Sequence, residues 1–170
     1  MPNTATPELS PSFAAAQAGD FEALAALRIL AMRASLERIG RFDPVRARER
    51  LRAGFAPEHT RHILVDGARV GFVVVKPQGD ALLLDHLYVH PDAQGQGIGG
   101  AVLQRVLAEA DAGALPVRVT ALRDSDSNRL YARHGFQLVE QGEFDNDYFR
   151  PSRTALAPEL DPLATTQEHT

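Results

Sequence analysis

The stretch Leu84-Asp85-His86-Leu87-Tyr88-Val89-His90-Pro91-Asp92-Ala93-Gln94-Gly95-Gln96-Gly97-Ile98-Gly99-Gly100 decides how the chain is read. Its first half is aliphatic and aromatic, as a strand is; its second half is dense in glycine. From Ile98 onward apolar residues recur at 98, 102, 106 and 110, with 103 and 107 alongside, the spacing of an amphipathic helix that ends near Gly113. A strand therefore runs through a glycine turn into a helix. Main-chain N–H groups at a helix N-terminus lack intrahelical partners and sit at the positive end of the helix dipole, so such a turn holds an anion without a basic side chain. Glycine at 95, 97 and 99 lets phosphate oxygens reach that backbone.

Working outward, runs at 62–65, 70–75 and 82–89 are rich in β-branched and aliphatic residues and are separated by Asp66-Gly67 and by Pro77-Gln78-Gly79-Asp80. They read as an antiparallel meander of three strands. Asp20 stands where an N-cap belongs, ahead of Leu24, Leu27 and Ala31 at helical spacing, and Asp43 followed by Pro44 starts a second helix. The arginines at 46, 48, 50 and 52 of that helix read as a solvated face. Beyond Gly113 come a strand at 117–122, a short helix at about 127–134 and two closing strands near 136–139 and 144–149. The full order is strand, helices, three strands, helix, strand, helix, two strands. The helix between the strands at 82–89 and 117–122 is long enough for a right-handed parallel crossover, so a mixed sheet is expected.

Composition narrows the function. A chain of 170 residues, 44% hydrophobic and 24% charged, suits one domain with a substantial core. The folded unit is expected at residues 12–150, with flexible tails at 1–11 and 151–170 where Pro, Thr and Ser gather without periodicity. A net charge of −4 and a pI near 5.8 offer no general attraction to nucleic acid or a membrane, which leaves small molecules or proteins as partners. No run approaches a bilayer span and residues 1–10 lack a basic, hydrophobic leader pattern, so the expected location is cytoplasmic. Absence of cysteine removes thiolate catalysis and thiolate metal sites, and the six histidines show no metal spacing, so no metal is expected.

Gly95, Gly97 and Gly100 satisfy the dinucleotide pattern G-x-G-x-x-G, but three antiparallel strands precede them and residues 90–94 separate the strand from the turn. That topology is wrong for a nicotinamide cofactor. The segment instead resembles motif A of the GCN5-related N-acetyltransferase (GNAT) family, in which Gln or Arg is followed by two residues, Gly, one residue and Gly or Ala: Gln94, Gly97 and Gly99 match it. Asn128-Arg129-Leu130-Tyr131-Ala132-Arg133-His134-Gly135-Phe136 resembles the family's motif B, and the two motifs come in the family's order.

The resemblance implies an α/β fold with a central mixed, mostly antiparallel sheet flanked by helices, and an enzyme of the acyltransferase class (EC 2.3.1 type). It would carry acetyl from acetyl-CoA to an amine of a small molecule or protein by direct attack, without a metal. The alternative is a non-catalytic acyl-CoA sensor or interaction module, and a homodimer is compatible with either. By the resemblance, main-chain groups of Leu87 and Val89 meet the pantetheine arm; Gln94, Gly95, Gln96, Gly97, Ile98, Gly99 and Gly100 meet the pyrophosphate; Asn128 contacts the cofactor; and Tyr131 protonates the departing thiolate. Strand alternation puts Asp85 on the face of Leu87 and Val89, which makes it the general-base candidate, and puts His86 and His90 on the other face in structural roles.

Overall fold

The computed structural model describes residues 10–153, so the expected tails at 1–11 and 151–170 fall mostly outside the described residues. The elements run β1 (Ser12–Ala15), α1 (Phe21–Arg38), α2 (Pro44–Ala53), β2 (Thr60–Val65), β3 (Ala68–Gln78), β4 (Ala81–Val89), α3 (Ile98–Ala112), β5 (Val117–Leu122), α4 (Ser127–Arg133), β6 (Gln137–Gln141) and β7 (Asp145–Arg150), with three short 3₁₀ turns between them. This is the order expected from sequence, and the opening strand falls at Ser12–Ala15.

One seven-stranded sheet is formed in the order β1-β2-β3-β4-β5-β7-β6. Every pairing is antiparallel except β4 with β5, which α3 joins as a parallel crossover. Ile98, Val102, Leu103, Val106, Leu107 and Ala110 form the buried stripe of α3 and pack with Ile63, Val73, Leu84, Val117 and Val119 on one sheet face. Each large side chain removed from water there contributes roughly 1.5–3 kcal/mol. On the opposite face Phe21, Leu24 and Ala25 of α1 and Leu51 of α2 cover Phe72 and Val74. Among the described residues no helix is long and apolar enough to cross a membrane.

The two expected caps behave differently. Asp43 caps α2, its carboxylate accepting the Arg46 N–H at 3.0 Å with Pro44 in the first turn. Asp20 does not cap α1: its carboxylate accepts the Gln17 N–H at 2.8 Å and lies 2.9 Å from Nε2 of the buried His62, which pins the start of α1 to β2.

A bulge in β4 corrects the alternation expected for that strand. His86 pairs with Val74 but Leu84 with Val75, so Asp85 is an extra residue with no partner in β3. The extra residue shifts the phase. Leu82 and Leu84 before it, and Leu87 and Val89 after it, all pack into the α3 core. Asp85, His86 and Tyr88 turn to the α1 and α2 face, where His86 and Tyr88 meet Phe72 and Asp85 meets Lys76.

Candidate active site

The parallel ladder between β4 and β5 covers only Leu82, Leu83 and Leu84 opposite Val117, Arg118 and Val119. Beyond it β5 stays with β7 through Leu122, while β4 continues beside β3 to Val89, and the two strands part. The gap opens into a cleft of about 560 Å³ floored by both strands and walled by α1, the start of α3 and α4. Leu82 donates its N–H toward β5, to Pro116 at 2.9 Å, and His90 donates toward β3, to Val70 at 2.7 Å. Carrying that alternation across the bulge turns the main-chain groups of Leu87 and Val89 into the gap, while their side chains stay in the core. The Val89 carbonyl accepts the Gln94 side-chain amide at 2.9 Å, which ties the glycine turn to the end of β4.

In that turn Gly95 and Gly97 take φ of 78° and 80°, a left-handed backbone that favours glycine. Gly97 is the residue before α3, and the first main-chain bond of the helix is Ala101 to Gly97 at 3.1 Å. Among the described residues the N–H groups of residues 95–100 therefore have no main-chain acceptor. A Cβ placed on Gly95 or Gly97 would meet nothing within 4 Å, because both face open space. Gly99 and Gly100 have another use: the same test brings their Cβ to 3.8 Å from Leu130 and His134, so they let α4 lie close to α3. Ile98 is buried, and Gln96 is exposed and outside the cleft lining.

Tyr131 is held by the end of its own helix. Phe136 N–H bonds back to the Tyr131 carbonyl at 3.1 Å and Gly135 N–H to Ala132 at 3.4 Å, with Gly135 at φ 86°, a Schellman closure. The Phe136 ring, 5.4 Å from the Tyr131 ring between centroids, completes it. The phenol lines the cleft, is 5% exposed and has no hydrogen-bond partner among the described residues. Burial, with a smaller contribution from nearby Tyr88, pushes its pKa up, so the proton stays on oxygen at neutral pH.

Two expected site residues are placed otherwise. Asn128 does not line the cleft. Its amide nitrogen donates to the Leu122 and Ser125 carbonyls, both at 2.9 Å, and its oxygen accepts from Tyr148 at 2.8 Å and Asn146 at 3.0 Å. It clamps α4 to β5 and β7, with no capacity left for a cofactor. Asp85 does line the cleft but, through the bulge, on the face opposite Leu87 and Val89. Its carboxylate pairs with Lys76 at 3.0 Å and lies 3.6 Å from His86 Nε2.

His86, given a structural role from sequence, also lines the cleft. Burial lowers its pKa to about 4 against the opposing pull of Asp85, so its imidazole is neutral at pH 7. No sequence signal marks the bulge that put it there. His90 is structural: its Nδ1 accepts the Asp92 N–H at 3.1 Å. Among the described residues no three His, Asp or Glu side chains stand close enough to hold a metal ion.

Residues 58–138 match a family model described as acetyltransferase (GNAT) domain. No curated protein matches the sequence. Among solved structures, PaiA N-acetyltransferase from Thermoplasma acidophilum in complex with coenzyme A superposes with a TM-score of 0.66 at 16% identity, over 84% of this chain and 99% of that one. The ribosomal-protein-S18-alanine N-acetyltransferase from Escherichia coli gives 0.66 at 16% identity over 88% and 98%. An acetyltransferase from Thermus thermophilus gives 0.66 at 20% identity over 84% and 97%. At those identities the superpositions speak for the fold, and the domain match for the activity. Parted parallel strands, a glycine turn of free donors at a helix start and the domain match lead to one assignment: residues 58–138 carry an acetyltransferase domain of the GCN5-related N-acetyltransferase (GNAT) type.

Proposed function

We propose that residues 12–150 form the catalytic unit, which transfers acetyl from acetyl-CoA to an amine of a small molecule or protein by direct attack, with no covalent enzyme intermediate. One observation carries this reading: the N–H groups of residues 95–100 have no main-chain acceptor at the mouth of the cleft that the parting of β4 from β5 opens, and a buried, unpartnered phenol lines the same cleft. Such a set fits a ligand with an amide-bearing arm, a diphosphate and a sulfur near Tyr131. Bound acetyl-CoA would supply a thioester carbonyl open to an amine.

The protein's own groups then divide the labour. Main-chain groups of Leu87 and Val89 orient the arm and polarise the carbonyl, and the 95–100 turn grips the diphosphate. Tyr131, kept protonated by burial, gives its proton to the leaving sulfur. The amine's proton leaves toward Asp85 and His86 at the bulge, where a carboxylate and a neutral imidazole border the cleft together. A sensor that only binds acyl-CoA would have no use for a protonated phenol in this position.

Calorimetry with acetyl-CoA, followed by release of free coenzyme A over a panel of amines, tests the proposal. Micromolar binding and turnover with an amine are expected. Absence of binding overturns the reading, and binding without turnover across a wide panel favours the sensor.

A further inference from the structure

Beside the cleft lies a second, half-open cavity of about 560 Å³, bordered by α1, the connection after it and α2. Met32 lines both cavities, and the Arg28 guanidinium carbon lies 5.9 Å from the ring centroid of Tyr88, itself a cleft residue. The two spaces are neighbours across these side chains.

The second cavity is lined by four arginines, Arg28, Arg41, Arg46 and Arg50, against one carboxylate, Asp43, which already caps α2. None of the four forms an ion pair among the described residues. Their neighbours on the helix differ: Arg48 pairs with Glu22, and Arg52 lies over the Phe21 ring at 4.7 Å and 3.8 Å from Glu22. Thus the alternating arginines of α2 split into two faces, with 48 and 52 satisfied within the fold and 46 and 50, one turn apart, facing the cavity.

Arg28 is the decisive residue. It is 5% exposed, one of its terminal nitrogens donates to the Ala47 carbonyl, and its Nε is buried with no partner among the described residues. A buried guanidinium without a carboxylate is costly unless an anion completes it. Arg41 is steadied over the Phe144 ring at 3.8 Å, and Arg46 and Arg50 are exposed, free to swing onto a ligand.

We infer that this cavity is an acceptor subsite for an anionic group, so that the enzyme acetylates amines that also carry a carboxylate or a phosphate. The anion sits among Arg28, Arg41, Arg46 and Arg50, and the amine reaches past Met32 and Tyr88 into the cleft. This rests on the cleft being the acetyl-transfer site and names the acceptor class for it.

The first test uses inorganic phosphate as the probe, with coenzyme A present to occupy the glycine turn and chloride as the ionic-strength control. Phosphate should raise the melting temperature of the wild type and of Arg48→Gln, a variant of the same helix outside the cavity. It should not raise that of the protein carrying Arg46→Gln together with Arg50→Gln. No rise in the wild type, or an equal rise in the double variant, overturns the inference. The second test compares ω-amino acids of increasing chain length and aminoalkyl phosphates with matched alkylamines. The anionic member of a pair should show kcat/KM at least about tenfold higher, and the double variant should bring that ratio toward one. Preference for either anion supports the subsite and identifies its ligand; a wild-type ratio near one overturns it. Acetyl-CoA binding, measured by calorimetry without acceptor, fails on its own if the cleft reading is wrong, whereas the phosphate shift reports on the second cavity alone.

Discussion

Gly97 and Gly67 offer a matched pair of perturbations. Their φ angles are 80° and 79°, and a Cβ on either would meet nothing within 4 Å. Alanine at each position therefore carries the same backbone penalty, roughly 1–2 kcal/mol for an L-residue held left-handed. For a domain of this size that lowers the melting temperature by about 2–8 °C in both variants. Only Gly97 lies in the cleft; Gly67 is in the turn between β2 and β3. If the N–H groups after Gly97 hold a diphosphate, the methyl group stands in the ligand's space and at least one charge-assisted hydrogen bond is lost. Such a bond is worth about 1.5–3 kcal/mol, or roughly 10- to 150-fold in Kd. Calorimetric titration of acetyl-CoA into both variants, beside thermal melts, measures the two effects separately. Equal affinity in Gly97→Ala and Gly67→Ala would refute the assignment of the turn as the phosphate cradle.

Tyr131→Phe keeps the volume of a buried ring and removes only the proton donor, so kcat should fall at least about 100-fold while acetyl-CoA Kd stays within about twofold; full turnover with chemistry rate-limiting would exclude the phenol as the acid. Asn128→Ala should cost about 1–3 kcal/mol in urea unfolding, because the buried hydroxyl of Tyr148 and the Asn146 amide lose their acceptor, with little change in acetyl-CoA affinity; a large affinity loss at unchanged stability would restore a cofactor contact. His86 titrates near 4 when folded against an ordinary 6.5, so the unfolded chain binds more protons between those values. Its contribution is intact above pH 6.5 and is lost as pH falls toward 4; His86→Gln should flatten the stability profile in that window, and an unchanged slope would count against the burial.

The sequence makes α3 and β5 plain because their signals do not depend on tertiary context. Six apolar positions of α3 recur on one face between Gly97 and Gly113, and β-branched residues after Pro116 mark the strand at 117–122 with the bounds the structure shows. The glycine turn is equally legible, since glycine density at a strand-to-helix junction has few other uses. What escapes such reading depends on pairing partners. Asp20 has the right type and place for a cap, yet a buried histidine 42 positions away takes its carboxylate. Asn128 stands in a motif associated with cofactor contact, but the polar ends of Tyr148 and Asn146 claim its amide. Arg28 looks like any helix-surface arginine until the packing of α1 on α2 buries it. Alternation gives the wrong face for Asp85 because it holds only in a regular strand.

The extra residue at position 85 lets a single strand serve two masters. Ahead of it, the backbone edge of β4 knits to β5; behind it, the same edge is released into the cleft, yet aliphatic side chains on both sides of the irregularity stay in register with one core. Neither substituting nor deleting Asp85 would turn the strand over, because Leu84 with Val75 and His86 with Val74 are successive pairs once the extra residue is set aside. Were Asp85 instead drawn into a regular ladder, Tyr88 would be driven against α3, and Leu87 and Val89 toward the arginine-lined side. The constraint at this point falls on the irregularity itself: so long as position 85 stays out of the ladder, Leu87 and Val89 keep the face of Leu82 and Leu84.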